Sequence, residues 1–274
     1  AMMDVYGHKL ERGQWSSTGV CVTHPGDYAK STLNSVDVGC HIFPEKYGDS
    51  RPRFFTSWTR DGYQSTGCFN EDCPGSVPAK GAMIAPGAVI DPVSDDSHQQ
   101  SIIIKVFKEK STGDWWVYYG FNSVPTAVGY YPKSLFTYLS QKATIVSFGA
   151  FVSANRTLPT PPMGSGIPPN GQGGSVASFR DLQLVDFDGI SSPIMNDLPS
   201  NEGNKQCYSI SPVVSAECFY GGPGGCFMQQ IVLHERVVSL GIPLILKQIT
   251  SSDYKSIPIN TNTIDGRQET LKEP

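Results

Sequence analysis

A carboxylate stands in the middle of the stretch LNSVDVGCHIFP, residues 33–44. Val36, Val38, Cys40 and Ile42 alternate with Asp37, Gly39 and His41, the two-residue period of a strand with one covered face. An acid at such a position is either a solvated surface group or a placed reactive one. As a placed group, Asp37 could serve as half of a carboxyl pair. One carboxylate of a pair takes a proton from water, and the other, kept protonated by its neighbour's charge, donates to the carbonyl oxygen or the leaving amine. Such a pair splits a peptide bond without a metal or a covalent intermediate. Like charges held close push the two ionisations apart, which suits an acidic medium.

Other residues offer competing chemistries. Glu45, Asp61 and Asp181 could supply the second acid, although no pattern sets any of them opposite Asp37. His8, His24, His41, His98 and His234 are available to a serine nucleophile, and His41 shares strand parity with Asp37. No Gly-x-Ser-x-Gly elbow accompanies them. His234-Glu235-Arg236 lacks the second histidine of a metalloprotease helix. The cysteines show no CxxC-like spacing, so neither a metal nor a cofactor is expected.

The elements that would hold these groups are strands. Gly 28 and Pro 21 imply many turns, and a net charge of −4 gives no reason to expect nucleic acid. Apolar runs are too short to span a bilayer, so no membrane segment is expected. Strand-like runs fall at 53–59, 101–108, 114–120, 143–152, 178–186 and 206–211, each rich in β-branched and aromatic residues. The link EKSTGD between the second and third reads as a hairpin turn. PKSLFTYLSQK, 132–142, reads as one short helix, opened by Pro132 and carrying Leu135, Phe136 and Leu139 at helical spacing. Residues 157–174 form a long Pro/Gly loop. No repeat is visible. The pattern predicts an all-β fold: an antiparallel sandwich of two large sheets, jelly-roll or concanavalin-like, with one short helix. The opening AMMDVYG lacks the features of a signal peptide, while seven cysteines and the sequon Asn155-Arg156-Thr157 favour the mature part of a secreted glycoprotein.

Four further stretches carry a resemblance. They are YGDSRPRFFTSWTRDGYQSTGCFNEDCPG (47–75), GDWWVYYG (113–120), VGYYPKSLFTYL (128–139) and PPMGSG (161–166) followed by SFRDLQLVD. With CY…FYGGPGGC at 207–226, they resemble, in order, the neprosin domain of plant secreted proteins. The resemblance covers roughly residues 1–226 and leaves 227–274 as a C-terminal extension. It implies a two-sheet β-sandwich and a glutamic endopeptidase that cuts near proline, with two glutamates facing each other across a cleft. One family glutamate lies in a strand resembling Ile-Glu-Ala-Gly-Trp, and the other in one resembling Ile-Glu-Trp-Gly-Gly. Here the first position falls on Asp37, in Val36-Asp37-Val38-Gly39-Cys40. The second falls on Ser147, in Val146-Ser147-Phe148-Gly149-Ala150, and a further family glutamate matches Phe151.

Those departures set the functional expectation. Asp37 keeps the carboxyl but is one methylene shorter, and a misplacement of about 1 Å can cost on the order of 100-fold. Ser147 has no useful acid or base. The expected protein is therefore a neprosin-like peptidase fold for proline-containing peptides, impaired or inactive. The alternative is a secreted, non-catalytic module that binds peptides or glycans. Trp58, Tyr63, Tyr130 and Tyr131 lie in the family-like segments and could floor a cleft. Proline rings and sugars both pack on such rings, so proline-rich peptides and cell-wall glycans are both candidate partners of a monomer. The resemblance also implies two disulfides, Cys68 with Cys73 and Cys207 with Cys226. Cys21, Cys40 and Cys218 remain, an odd number. Cys21 and Cys40 could bridge if their strands are neighbours, or stay as buried thiols.

Overall fold

The computed structural model describes residues 1–170, 175–195, 198–202, 204–227 and 237–245. Strands dominate. In chain order they are β1 (Met2–Asp4), β2 (Gln14–His24), β3 (Asn34–Ile42), β4 (Arg53–Thr59), β5 (Cys68–Phe69) and β6 (Val77–Pro78). Then follow β7 (Ser101–Lys108), β8 (Trp115–Phe121), β9 (Thr126–Tyr131), β10 (Ile145–Ala154), β11 (Met163–Gly164) and β12 (Ala177–Arg180). The last are β13 (Gln183–Val185), β14 (Ser191–Pro193), β15 (Asn201–Glu202), β16 (Ser209–Ile210), β17 (Cys218–Gly222) and β18 (Val237–Ile245). The fold is the expected all-β sandwich. One sheet runs β15-β18-β10-β2-β3-β4-β5. The larger runs β11-β17-β12-β1-β7-β8-β9-β6, with β16 on β17. The small pair β13-β14 stands beside them, and every pairing is antiparallel.

Alternation along the strands builds the core. Val20 and Val22 of β2, Val36 and Val38 of β3, Phe54 and Trp58 of β4, and Phe148, Ala150 and Val152 of β10 point inward. They meet Ile102, Ile104, Trp115, Val117, Tyr119 and Phe179 of the other sheet. Phe148 and Phe179 meet edge to face across the layers, with centroids 6.5 Å apart. A buried carboxylate, Asp4, ties three strands of the larger sheet together. It accepts from Gln99 Nε2 (2.8 Å), from Ser101 Oγ (3.0 Å), from the Ser178 amide and hydroxyl (both 2.8 Å) and from Arg180 Nη2 (2.7 Å). A buried charge needs such a set of donors, and these come from strands and a loop that no local pattern links to Asp4.

β7 and β8 form the expected hairpin. The helix expected at 132–142 does not form. Only Lys133–Leu135 makes a 3-10 turn. The reason is Asn34, whose side-chain oxygen accepts from the amides of Tyr138 (2.9 Å) and Leu139 (3.2 Å). Those amides therefore bond across the fold, while Phe136 and Leu139 still bury their side chains. An unexpected single-turn helix, α1 (Pro44–Tyr47), has Pro at its first position and Gly48 in the left-handed conformation after it. The run 178–186 breaks into β12 and β13 at Asp181, which has φ +50°. Of the run 206–211, only Ser209–Ile210 is a strand. The C-terminal extension supplies β18, which pairs with β10 along nine residues. Residues 171–174 of the Pro/Gly loop, and 228–236, which include His234, and 246–274 of the extension lie outside the described residues.

Both expected disulfides are present, Cys68–Cys73 and Cys207–Cys226. Cys21, Cys40 and Cys218 are thiols. β2 and β3 are neighbours, but their register sets Cys21 against Asp37 and Cys40 against Thr18, on opposite faces of the sheet, so no bridge joins the two cysteines. No helix among the described residues is long and apolar enough to cross a membrane. Phe148 touches both layers, so Phe148→Ala is expected to cost about 3–5 kcal/mol in urea unfolding. A loss below about 1 kcal/mol would mean that the layers do not depend on it.

Candidate active site

The seven-stranded sheet has a second face, away from the core, and Asp37 lies on it. Paired residues of neighbouring strands share a face. Ser147 of β10 pairs with Cys21 of β2, Cys21 with Asp37 of β3, Asp37 with Ser57 of β4, and Ser57 with Phe69 of β5. The two positions that resemble the family's glutamates thus lie in one row, two strands apart, at about 9–10 Å by strand spacing. Cys21 stands between them. Two residues along, Gly149, Gly19 and Gly39 form a parallel row. A Cβ at Gly39 would lie 2.0 Å from the Thr18 carbonyl oxygen, so only glycine permits this approach of β3 to β2.

The Asp37 carboxylate is held by neutral donors. Ser35 Oγ donates to Oδ1 at 2.5 Å. Ser57 Oγ and the Tyr63 hydroxyl donate to Oδ2 at 3.1 and 2.9 Å. Cys21 is the cross-strand neighbour of Asp37; burial first, then that carboxylate's charge, push its thiol well above the usual range. Burial and the same charge raise the Tyr63 phenol. No carboxylate bonds to Asp37 among the described residues.

Tyr63 reaches Asp37 from a loop built around Asp61. Burial opposes ionisation of Asp61, but Ser65 and Thr66 donate to it and hold it at about 2. Its oxygens accept from the amides of Gln64, Ser65 and Thr66 and from both hydroxyls. The Tyr63 amide donates to Thr59 Oγ1 at 2.8 Å, and Tyr63 itself has φ +62°. The Tyr63 ring is 41 % exposed while its hydroxyl points inward to Asp37. Asp61, weighed above as a second acid, is therefore committed to its own loop. Glu45 sits in the first turn of α1, and Asp181 lies near the larger sheet beyond β12.

The four aromatic residues read as a cleft floor do not gather. Tyr63 alone stands at Asp37. Trp58 and Tyr131 are in the core, Trp58 edge-on to Phe136 at 6.0 Å. Tyr130 belongs to the larger sheet, against Trp116. Ser147 is half-buried in the Asp37 row. Asn155 of the sequon lies in an exposed turn after β10, its amide bonded to Gly13. The sequence reading did not name Ser35 or Ser57, and it considered Cys21 only as a disulfide partner. Strand parity was the available signal for Ser35, which lies two residues before Asp37.

His41 lies two rows from Asp37, only 1 % exposed, inside an aromatic box. It stacks on Phe55 at 4.5 Å and 9°. Trp15 Nε1 donates to its Nδ1 at 3.4 Å, which leaves the proton on Nε2, 3.0 Å from the Tyr47 hydroxyl. Burial first, then Lys46 and Arg53, lower it to about 3.

The sequence model of the family Neprosin matches residues 12–223. The chain belongs to the neprosin family, a peptidase-like family.

The titration of His41 has a definite sign. Its folded value is below the unfolded 6.5, so the unfolded chain binds the proton first. The stabilisation from neutral His41 is complete above about pH 6.5 and is lost as pH falls towards 3, with a ceiling of about 5 kcal/mol. In urea unfolding between pH 7 and 3, His41→Phe is expected to reduce the acid-side slope relative to the parent. Parallel slopes would contradict the assignment.

Proposed function

We propose that this protein is a neprosin-family β-sandwich that engages proline-containing peptides and hydrolyses them slowly or not at all. One observation supports the reading above the others: Asp37 is ringed by Ser35, Ser57, Tyr63 and Cys21, and the matching position across the row is Ser147. Hydrolysis by two acids needs one proton acceptor and one proton donor of suitable strength. Asp37 is a competent acceptor for a proton from water. The groups facing it are serine hydroxyls, a phenol and a thiol, and the last two are pushed towards weaker acidity. None can protonate a leaving amine as a carboxylic acid does. Each catalytic proton transfer contributes typically 10²–10⁴-fold, so the missing donor accounts for a large loss.

Peptide engagement has separate support. Asp37 and Ser57 offer polar groups on this face, and the exposed Tyr63 ring is a flat surface against which a proline ring can pack. A secreted, disulfide-bonded, monomeric module glycosylated at Asn155 is consistent with this role. Glycan binding at the Asp37 site is less favoured, because the remaining aromatic candidates lie elsewhere.

Cleavage of proline-rich peptides from pH 2 to 7 is the test. The parent is expected to turn over little or nothing. Asp37→Glu combined with Ser147→Glu is expected to raise cleavage by about 100-fold or more, with an acidic optimum. Brisk cleavage by the parent that survives Asp37→Asn would overturn the proposal. So would a folded double variant that stays as inactive as the parent.

A further inference from the structure

The row that carries Asp37 ends, on the β5 side, in a ring. Asp37 pairs with Ser57 and Ser57 with Phe69, so Phe69 shares the outer face of the seven-stranded sheet, two strands from Asp37. Strand spacing puts the two about 9–10 Å apart. Phe69 is one corner of a triangle of rings. Its centroid is 6.2 Å from Trp15 and 6.1 Å from Phe43, and Trp15 and Phe43 are 6.0 Å apart. All three residues are half-buried, while His41 and Phe55, which touch them, are buried. Rings at such separations touch one another, so the triangle is a surface with no slot between its members. Trp15 turns its one polar atom to His41, and phenylalanine has none, so what remains open is apolar.

The surface is held in place before any ligand arrives. Phe69 follows Cys68, which is bridged to Cys73. The next residue, Asn70, is buried; its amide donates to the Thr56 carbonyl at 2.6 Å and its Nδ2 to the Tyr47 hydroxyl at 2.8 Å. Phe43 stands directly before Pro44, the first residue of α1. Tyr63 approaches Asp37 from the opposite side. Its loop leaves β4 after Thr59, which pairs with Ser35, and its amide is bonded to Thr59 Oγ1. Phe55 and His41 lie towards the other ends of β4 and β3. The carboxylate therefore has a ring surface on each side.

We propose that Trp15, Phe43 and Phe69 form a second proline subsite, so that the site selects peptides of the Pro-x-x-Pro type. The inference rests on peptide engagement at Asp37, argued above, and narrows the ligand. A polyproline II chain repeats every three residues and rises about 9 Å in doing so, which puts prolines at i and i+3 on one face. That repeat matches the separation of Phe69 from Asp37. A proline ring lies flat on aromatic side chains and needs no hydrogen bond to do so. A sugar would leave its hydroxyls without partners on this surface, and a long side chain would find no slot to enter.

Titration calorimetry of the full chain with blocked alanine-based peptides tests this. One peptide carries a single proline, and the others carry two prolines separated by one, two or three residues. The Pro-x-x-Pro peptide is expected to bind about tenfold more tightly than the single-proline peptide, and the other spacings no more tightly than the single proline. In Phe43→Ala and in Trp15→Ala, each checked by thermal unfolding, the tenfold ratio is expected to fall to near one, and in Phe43→Tyr to persist. A protein that merely lost stability would weaken both peptides together and keep the ratio. If no proline peptide binds the parent, the peptide reading fails and this inference fails with it. If the parent binds the single-proline and Pro-x-x-Pro peptides alike, or if the ratio persists in folded Phe43→Ala and Trp15→Ala, the second subsite is overturned while peptide engagement stands.

Discussion

The register of β2 against β3 and β10 decides which side chains can meet Asp37. Because neighbours in antiparallel strands share a face, that register lines up Ser147, Cys21, Asp37 and Ser57. A shift of one residue would turn Asp37 into the core and replace it with a valine. Gly39 and Gly19 hold the two strands in close approach just beyond it. The loop around Asp61 then closes over the row and delivers the Tyr63 hydroxyl. The site is thus a carboxylate with a complete set of neutral donors, in a scaffold whose family resemblance points to two acids.

The surroundings fit that reading. A carboxyl pair works best in acid, where one member holds its proton. His41, two rows away, is kept neutral by burial inside rings from Trp15, Phe43, Phe55 and Phe69. That environment penalises the folded state as the medium becomes acidic. A fold that carries a buried histidine resisting protonation is more stable near neutrality than in acid.

Much of the architecture was legible because it follows from period-two patterning. Runs such as RFFTSWT and SIIIKVFK can bury one face only as strands, and β4 and β7 take the expected bounds. The disulfides followed from the resemblance. The helix at 132–142 was misread because Leu135, Phe136 and Leu139 satisfy helical spacing equally well when folded onto the sandwich by Asn34, a partner about a hundred residues away. The same limit applied at the site. Asp37 could be picked from its strand, but its donors come from β2, β4 and a loop, and no local pattern links Cys21 or Ser57 to it. The aromatic residues were equally ambiguous: Trp58 and Tyr131 take core parity, Tyr130 takes the outer face of the other sheet, and only Tyr63 reaches the acid.

The central claim is that no second carboxyl group shares the Asp37 site. Carbon-13 NMR of the Asp37 carboxyl across the acidic range tests it most directly, because coupled acids produce two-step curves at each site. A lone carboxylate predicts a single-step curve in the parent and a two-step curve once Ser147→Glu supplies a neighbour. A two-step curve in the parent would reveal a second carboxyl group sharing the site and would contradict the account.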